Sequence, residues 1–254
     1  MSDGAGISHS DVEALAYIGI METDSKSGLR LASWNIRAGL GTDLRRDPGR
    51  VLDVIHALSA DIVVLQEADF RLGARPSALP RDGIAGRTGL EPLPVGVNSI
   101  SIGWHGNAIL ARPDFRLQGL ERLELPGLEP RGAVIADLEG PRPLRLVAVH
   151  LGLFRASRRK QLDAIRAAVL RHPPRPTVVL GDFNEYSRRV GLGRLARSFR
   201  LMEASATFPS RRPLLALDRM AHSHDVTLEP LEVPRVMGAQ ASDHLPLLAR
   251  LSWV

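Results

Sequence analysis

The sequence predicts an α/β fold in which two β-sheets pack on each other with helices outside, all in one domain, and three observations lead there. From Leu29 onward short apolar, β-branched runs recur, with helical patterns between only some of them. No fixed period repeats, which excludes a solenoid or a propeller, and no linker divides the chain after residue 28. The chain has 254 residues, 44% hydrophobic and 24% charged, the balance of a globular protein able to bury a large core.

The first strand is LRLASWNI. Asp47 and Pro48 then supply an N-cap and a first-turn proline, and Val51, Leu52, Ile55 and Leu58 fall on one helix face. DIVVLQE is continuous and β-branched, the pattern of a strand covered on both faces. Residues 71–100 carry many Gly and Pro with little periodicity and are expected as a long surface loop. Strands follow at GNAILAR, RGAVIADL and LRLVAVHL. A second helix is expected from about Ser157, with Leu162, Ile165 and Val169 inward, until HPPRP stops it. TVVLGDFN, a short helical piece near 191–199, LALDRM, a run through HDVTLEPLEV and a final strand HLPLLARLSWV complete the chain.

Charge is unevenly laid out behind a net +5. Residues 1–28 hold five acids against one base, Lys26, and are expected as a flexible acidic tail before a folded domain at 29–254. Arg155 to Arg212 holds fourteen bases against four acids, which suits an anionic partner or, more simply, a solvated face. Zero cysteines exclude disulfides, thiolate zinc sites, iron–sulfur clusters and thiol nucleophiles. The first residues lack the basic flank and apolar core of a signal peptide, and no long apolar stretch follows. A cytoplasmic monomer without integral membrane association is the expectation.

The polar residues of interest stand at the ends of apolar strands. Asn35 closes LASWN, Glu67 closes IVVLQE, His150 closes LVAVH, and Asp182 with Asn184 closes VVLGDFN. Asp218 sits inside LALDRM, and Ser242, Asp243 and His244 open the last strand. A carboxylate at the end of a buried strand loses hydration unless a cation or hydrogen-bond donor compensates it. Several such ends converging would form a metal site, and carboxylates and carboxamides without thiolates favour Mg²⁺ or Mn²⁺. Two histidines beside that ion can donate to phosphoryl oxygens or move protons, with Asp218 holding one of them in its productive tautomer. Singly each residue has an ordinary role: Asn35 in a turn, Asp182 as a helix cap, His150 as a satisfied core histidine. Trp34 reads as core, and His222 and His224 as a loop. There is no GxSxG elbow and no Walker-type loop.

The ordered set SWNIR, LQE, GNAIL, EPRGAV, VHL, GDFN, LDRM and SDHLPL resembles the endonuclease/exonuclease/phosphatase superfamily over roughly residues 29–254. That resemblance implies a four-layer α/β sandwich of the DNase I-like type and a divalent-metal-dependent phosphoesterase. It implies that Asn35, Glu67 and Asp243 lie at the metal, with Glu67 the principal ligand. Asp182 and Asn184 would place or activate the attacking water, His244 would pair with Asp218, and His150 would be the second active-site histidine. Arg131 and Asn107 match positions near the scissile phosphate. The substrate it implies is a phosphodiester or phosphomonoester, with nucleic acid, a phospholipid headgroup and a small phosphoester all open; a nuclease, or less readily an inactive binding module on the same fold, are the alternatives. The DNA-penetrating wedge of abasic endonucleases and the motifs of 5-phosphatases and deadenylases are not recognisable, so the resemblance stops at the superfamily.

Overall fold

Two parallel strand pairs set the geometry of the computed structural model, which describes residues 28–187, 191–233 and 239–254. In the first pair, β1 (Leu29–Asn35) lies beside β2 (Ile62–Gln66), whose five side chains are all buried, as its unbroken apolar run predicts. Helix α1 (Pro48–Ala57) crosses between them. Asp47 accepts from the Arg50 amide (3.0 Å), Pro48 occupies the first turn, and Val51, Leu52, Val54 and Ile55 are buried. In the second pair, β8 (Leu144–His150) lies beside β9 (Thr177–Asp182), joined by helix α3 (Arg155–Arg171), which buries Leu162, Ile165 and Val169.

Between these units lie α2 (Arg81–Thr88), β3 (Glu91–Pro92), β4 (Gly103–Trp104), β5 (Asn107–Ala111), β6 (Arg116–Leu125) and β7 (Arg131–Glu139). After them come β10 (Arg200–Leu201), β11 (Asp218–His222), β12 (Val226–Leu231) and β13 (Leu247–Trp253). One sheet runs β12-β13-β1-β2-β5-β3 with β4 also on β5; the other runs β10-β11-β9-β8-β7-β6. Every pairing apart from the two parallel ones is antiparallel.

Alternation along the strands divides the apolar side chains among three cores. Leu144, Leu146 and Ala148 of β8 point between the sheets, where they meet Leu31, Val64 and Ile109 of the facing sheet. Val147 and Val149, one residue out of step, pack with Leu162 and Ile165 of α3. On the far side Trp34, Val63 and Leu65 pack with Val51 and Ile55 of α1 and Ile84 of α2. The result is four layers: α1 and α2, sheet, sheet, α3. The fold is the expected α/β sandwich.

Four sequence expectations need correction. The stretch 71–100 is not all loop: α2 forms from RDGIAGRT, where two glycines and a single buried side chain, Ile84, hide the helical period. β6 was not expected, because RLQGLERLEL spaces its leucines irregularly; it is an edge strand whose register shifts between Leu117 and Gly119. Ser242, Asp243 and His244 precede β13 rather than opening it, since the strand begins at Leu247. Asp218 begins β11, which runs on to His222, so His222 is a buried strand residue and not a loop one. The piece near 191–199 is a 3₁₀ helix at Leu192–Arg197. Residues 1–27 of the acidic tail lie outside the described residues.

The basic stretch is less free than its count suggests. Arg158 is buried and donates to Glu185 Oε2 (2.9 Å), Arg171 pairs with Glu121, Arg175 with Glu139 and Arg194 with Asp163. No helix among the described residues is long and apolar enough to cross a membrane.

Candidate active site

Strand register builds the site. The parallel pairing of β8 with β9 sets His150 beside Asp182, and the antiparallel pairing of β9 with β11 sets Asp218 on the other side of Asp182. From the facing sheet, Asn35 at the end of β1 donates through Nδ2 to Asp182 Oδ2 (3.0 Å), so the ends of both sheets meet at one carboxylate. Gly181 allows β8 and β9 to pair this closely next to Asp182: with φ of 148°, a Cβ there would lie 1.9 Å from the Val149 carbonyl oxygen. The turn that follows is tied back, the Asn184 amide donating to Asp182 Oδ1 (2.8 Å) and Asn184 Nδ2 to the Leu151 carbonyl (2.9 Å).

His244 is fixed from several sides. Its carbonyl accepts from Trp34 Nε1 (2.9 Å), and its amide donates to Ser242 Oγ (3.2 Å), which itself donates to the Asn35 carbonyl (2.7 Å). The Phe208 ring lies 5.0 Å from the imidazole. His244 Nδ1 donates to Asp218 Oδ2 (2.9 Å), an oxygen that also accepts from Thr207 Oγ1 (2.5 Å). His244 Nε2 is then left 3.8 Å from Asp182 Oδ2. His150 Nε2 lies 3.5 Å from the same oxygen, while its Nδ1 faces Arg131 Nη1 at 3.1 Å. A guanidinium can only donate, so His150 Nδ1 accepts and Nε2 carries the proton.

The electrostatics separate the two histidines. Burial, with Arg131, His244 and Arg71 adding positive charge, holds His150 well below the usual imidazole range, so it is neutral. Burial also opposes charge on His244, but Asp218, by charge and hydrogen bond, together with Asp182 and Asp243, raises it from 6.5 to about 9. Burial and the neighbouring Asp218 push Asp182 up from 3.8 to about 6, against the lowering by His244, Asn184 and Asn35.

The remaining expected residues form a rim. Glu67 follows β2 with a positive φ of 53° and pairs with Arg71 (2.7 Å); Asp243 pairs with Arg37 (3.4 Å). Arg131 Nε donates to Glu129 Oε2 (3.3 Å). A cleft of about 230 Å³ is lined by Glu67, Arg71, Arg75, His105, Arg131 and His150, among others. Asn107 is placed differently: it is fully buried, its Nδ2 donating to the carbonyls of Trp104 (3.2 Å) and Gly132 (2.9 Å), and it does not join the hydrogen-bonded line of the site.

The oxygens expected at the metal, from the Glu67 and Asp243 carboxylates and from the Asn35 carboxamide, which accepts from the Arg37 amide (3.1 Å), are of the type that suits a hard divalent cation. Asp182, Asp218 and His244 form a second candidate, with ligand atoms within 4.8 Å of one another. Asp218 Oδ1 is buried without a hydrogen-bond partner, which suits that inner group. However, Asp218 Oδ2 already accepts twice, and His244, raised to about 9, brings a positive charge of its own. Glu67 and Asp243, by contrast, are each paired with an arginine.

Sequence reading missed Thr207, Arg71, Glu129 and the buried Arg158–Glu185 pair that ties α3 to the turn after Asn184. None stands at the end of an apolar strand, which was the signal used.

A family model described as Endonuclease/Exonuclease/phosphatase family matches residues 32–244. The chain is 29% identical over 222 residues to YbhP of Escherichia coli (strain K12), covering 78% of this chain and 86% of that protein. Among solved structures it is similar to the human Nocturnin catalytic domain with bound sulfate anion, at a TM-score of 0.67 and 20% identity, covering 91% of this chain and 97% of that one. It is also similar to the mannosyl-6-phosphatase Bt3783 of Bacteroides thetaiotaomicron VPI-5482, at a TM-score of 0.66 and 15% identity, covering 89% and 100%.

Proposed function

This chain belongs to the endonuclease/exonuclease/phosphatase family, and we propose from that premise that it hydrolyses a phosphoester by in-line attack of water, with Mg²⁺ or Mn²⁺ as its cation. Members of the family are phosphoesterases and nucleases, and their enzymes are typically dependent on a divalent metal. The observation that carries the reading is the line Asp218, His244, Asp182, His150, Arg131 at the meeting of the two sheets, its first four members buried and Arg131 opening on the cleft.

Each member of the line has a task its surroundings suit. Asp182, with a pKa near 6, is ionised at neutral pH and basic enough to take a proton from water as the water oxygen bonds to phosphorus. Asn184 and Asn35, bonded to its side chain through amide hydrogens, hold that carboxylate in place. His244 is an imidazolium whose Nδ1 proton is committed to Asp218, which leaves its Nε2–H, on the Asp182 side, to donate to a phosphoryl oxygen. His150 offers Nε2–H as a neutral donor, and the Arg131 guanidinium adds a second positive charge. Glu67, Asn35 and Asp243 would hold the cation, which supplies Lewis-acid polarisation of the phosphoryl oxygen and charge neutralisation for the departing group. Two pKa values pushed apart in one site, near 6 and near 9, match a base and an acid working together.

The test is hydrolysis of bis-p-nitrophenyl phosphate and p-nitrophenyl phosphate, followed by nucleic acid, sphingomyelin-like diesters and phosphoinositides. Activity is expected with Mg²⁺ or Mn²⁺ and is abolished by EDTA. Full activity in chelator, or none on any phosphoester, would overturn the reading.

A further inference from the structure

The cleft has an apolar rim that hydrolysis of a small phosphoester does not need. Leu72, Leu128, Leu153 and Phe154 are 85%, 83%, 64% and 56% exposed. Leu153 itself lines the cleft, and Leu72, Leu128 and Phe154 each adjoin a lining residue, Arg71, Glu129 and Leu153. Two of the three loops involved are fastened together, because the Leu153 amide donates to both oxygens of Glu129 (3.2 and 3.0 Å). Exposing four large apolar side chains around one opening costs solvation and marks an interaction surface.

Exposed cations adjoin this rim, next to the cleft's own carboxylates Glu67 and Glu129. Arg71 is exposed beside Leu72, and Arg155, Arg159 and Lys160 are exposed on the first turns of α3, directly after Phe154. We propose that this mouth docks on an anionic phospholipid bilayer, the four apolar side chains entering the headgroup boundary and the cations meeting lipid phosphates. The proposal rests on the phosphoesterase reading and deepens it, since a lipid phosphate would then be presented to Asp182 and His244 directly. Aliphatic side chains favour a bilayer over nucleic acid: leucine gains by leaving water for acyl chains, whereas base recognition draws on aromatic stacking, and three of the four are leucines. Each surface cation adds attraction that depends on anionic lipid and falls with salt.

The test is co-sedimentation of the full chain, in EDTA so that nothing turns over, with vesicles of phosphatidylcholine alone or mixed with phosphatidylglycerol. Wild type is expected to sediment with the mixed vesicles and much less with phosphatidylcholine. The combined variant Leu72→Ser, Leu128→Ser, Phe154→Ser, all at exposed positions, is expected to lower partitioning by about 10²-fold. A second variant, Arg155→Gln, Arg159→Gln, Lys160→Gln, is expected to remove most of the salt dependence. Wild type remaining in the supernatant with anionic vesicles, the serine variant sedimenting like wild type, or duplex DNA displacing the protein from vesicles would each overturn the proposal. A wild type that sediments yet cleaves no phosphoester keeps the docking surface and overturns the hydrolytic reading; one that cleaves phosphoesters without sedimenting does the reverse.

Discussion

Asp218 and Glu67 are both carboxylates at strand ends of one site, yet their surroundings are opposite. Asp218 is wholly buried and its Oδ2 holds His244 and Thr207. Glu67 has a side chain 23% exposed and faces Arg71, whose own side chain is 70% exposed. The same contrast separates Asp182, bonded to Asn35 and the Asn184 amide, from Asp243, paired with the partly exposed Arg37. An oxygen held by fixed buried donors is committed to positioning another group. An oxygen answered by a solvent-exposed arginine can change partner cheaply, because such pairs contribute only about 0–1 kcal/mol. The inner half is therefore suited to handling protons and the outer half to exchanging a cation.

The comparison breaks most severely at the inner half. His244→Ala or Asp182→Asn is expected to cut kcat by roughly 10²–10⁴-fold, the scale of acid–base assistance, with the circular dichroism spectrum unchanged. Wild-type turnover in either variant, measured by steady-state kinetics, would remove that residue from the proton-handling group.

Asp218→Asn is expected to cost less, and to add little to His244→Ala because the two act as a unit. Its sharper signature is a titration. In chelated wild type, the His244 imidazolium observed by NMR should persist to about pH 9, while His150 stays neutral. In the Asn variant burial is less opposed and the His244 pKa falls. The sign follows from linkage: a histidine raised above 6.5 contributes stability that is complete below that pH and is lost as pH rises through about 9. The stability difference between wild type and the variant should therefore shrink across that window.

The smallest effect is expected at the rim. Arg71→Ala should leave the thermal midpoint of the chelated protein nearly unchanged, as expected for an exposed pair. It should tighten Mg²⁺ or Mn²⁺ binding several-fold by removing the competitor for Glu67. Weaker cation binding in that variant would mean that Arg71 supports the site rather than competing in it.

The strands that carry the site were legible because they are covered on both faces. In LVAV no polar position precedes His150, and in IVVLQ only the buried Gln66 precedes Glu67, so His150 and Glu67 stand out. Asp182 and Asn184 stand out likewise after TVVL. β6 escaped because an edge strand with one open face tolerates arginines and glutamates at irregular intervals. Thr207 escaped for a different reason. It reaches Asp218 from a loop, and its value depends on a contact across eleven residues that no periodicity records. Asn107 was legible in the same way at the start of its strand, and its Nδ2 is taken up by the carbonyls of Trp104 and Gly132.

The central claim is that the cation belongs to the rim and the proton to the buried line, and a calorimetric titration of Mg²⁺ and Mn²⁺ into wild type, Glu67→Gln and Asp218→Asn tests it most directly. The account predicts that Glu67→Gln weakens binding by at least about tenfold, on the scale of losing one charged ligand, while Asp218→Asn binds like wild type. Binding lost in Asp218→Asn and preserved in Glu67→Gln would place the cation among Asp182, Asp218 and His244, and would contradict the division of the site described above.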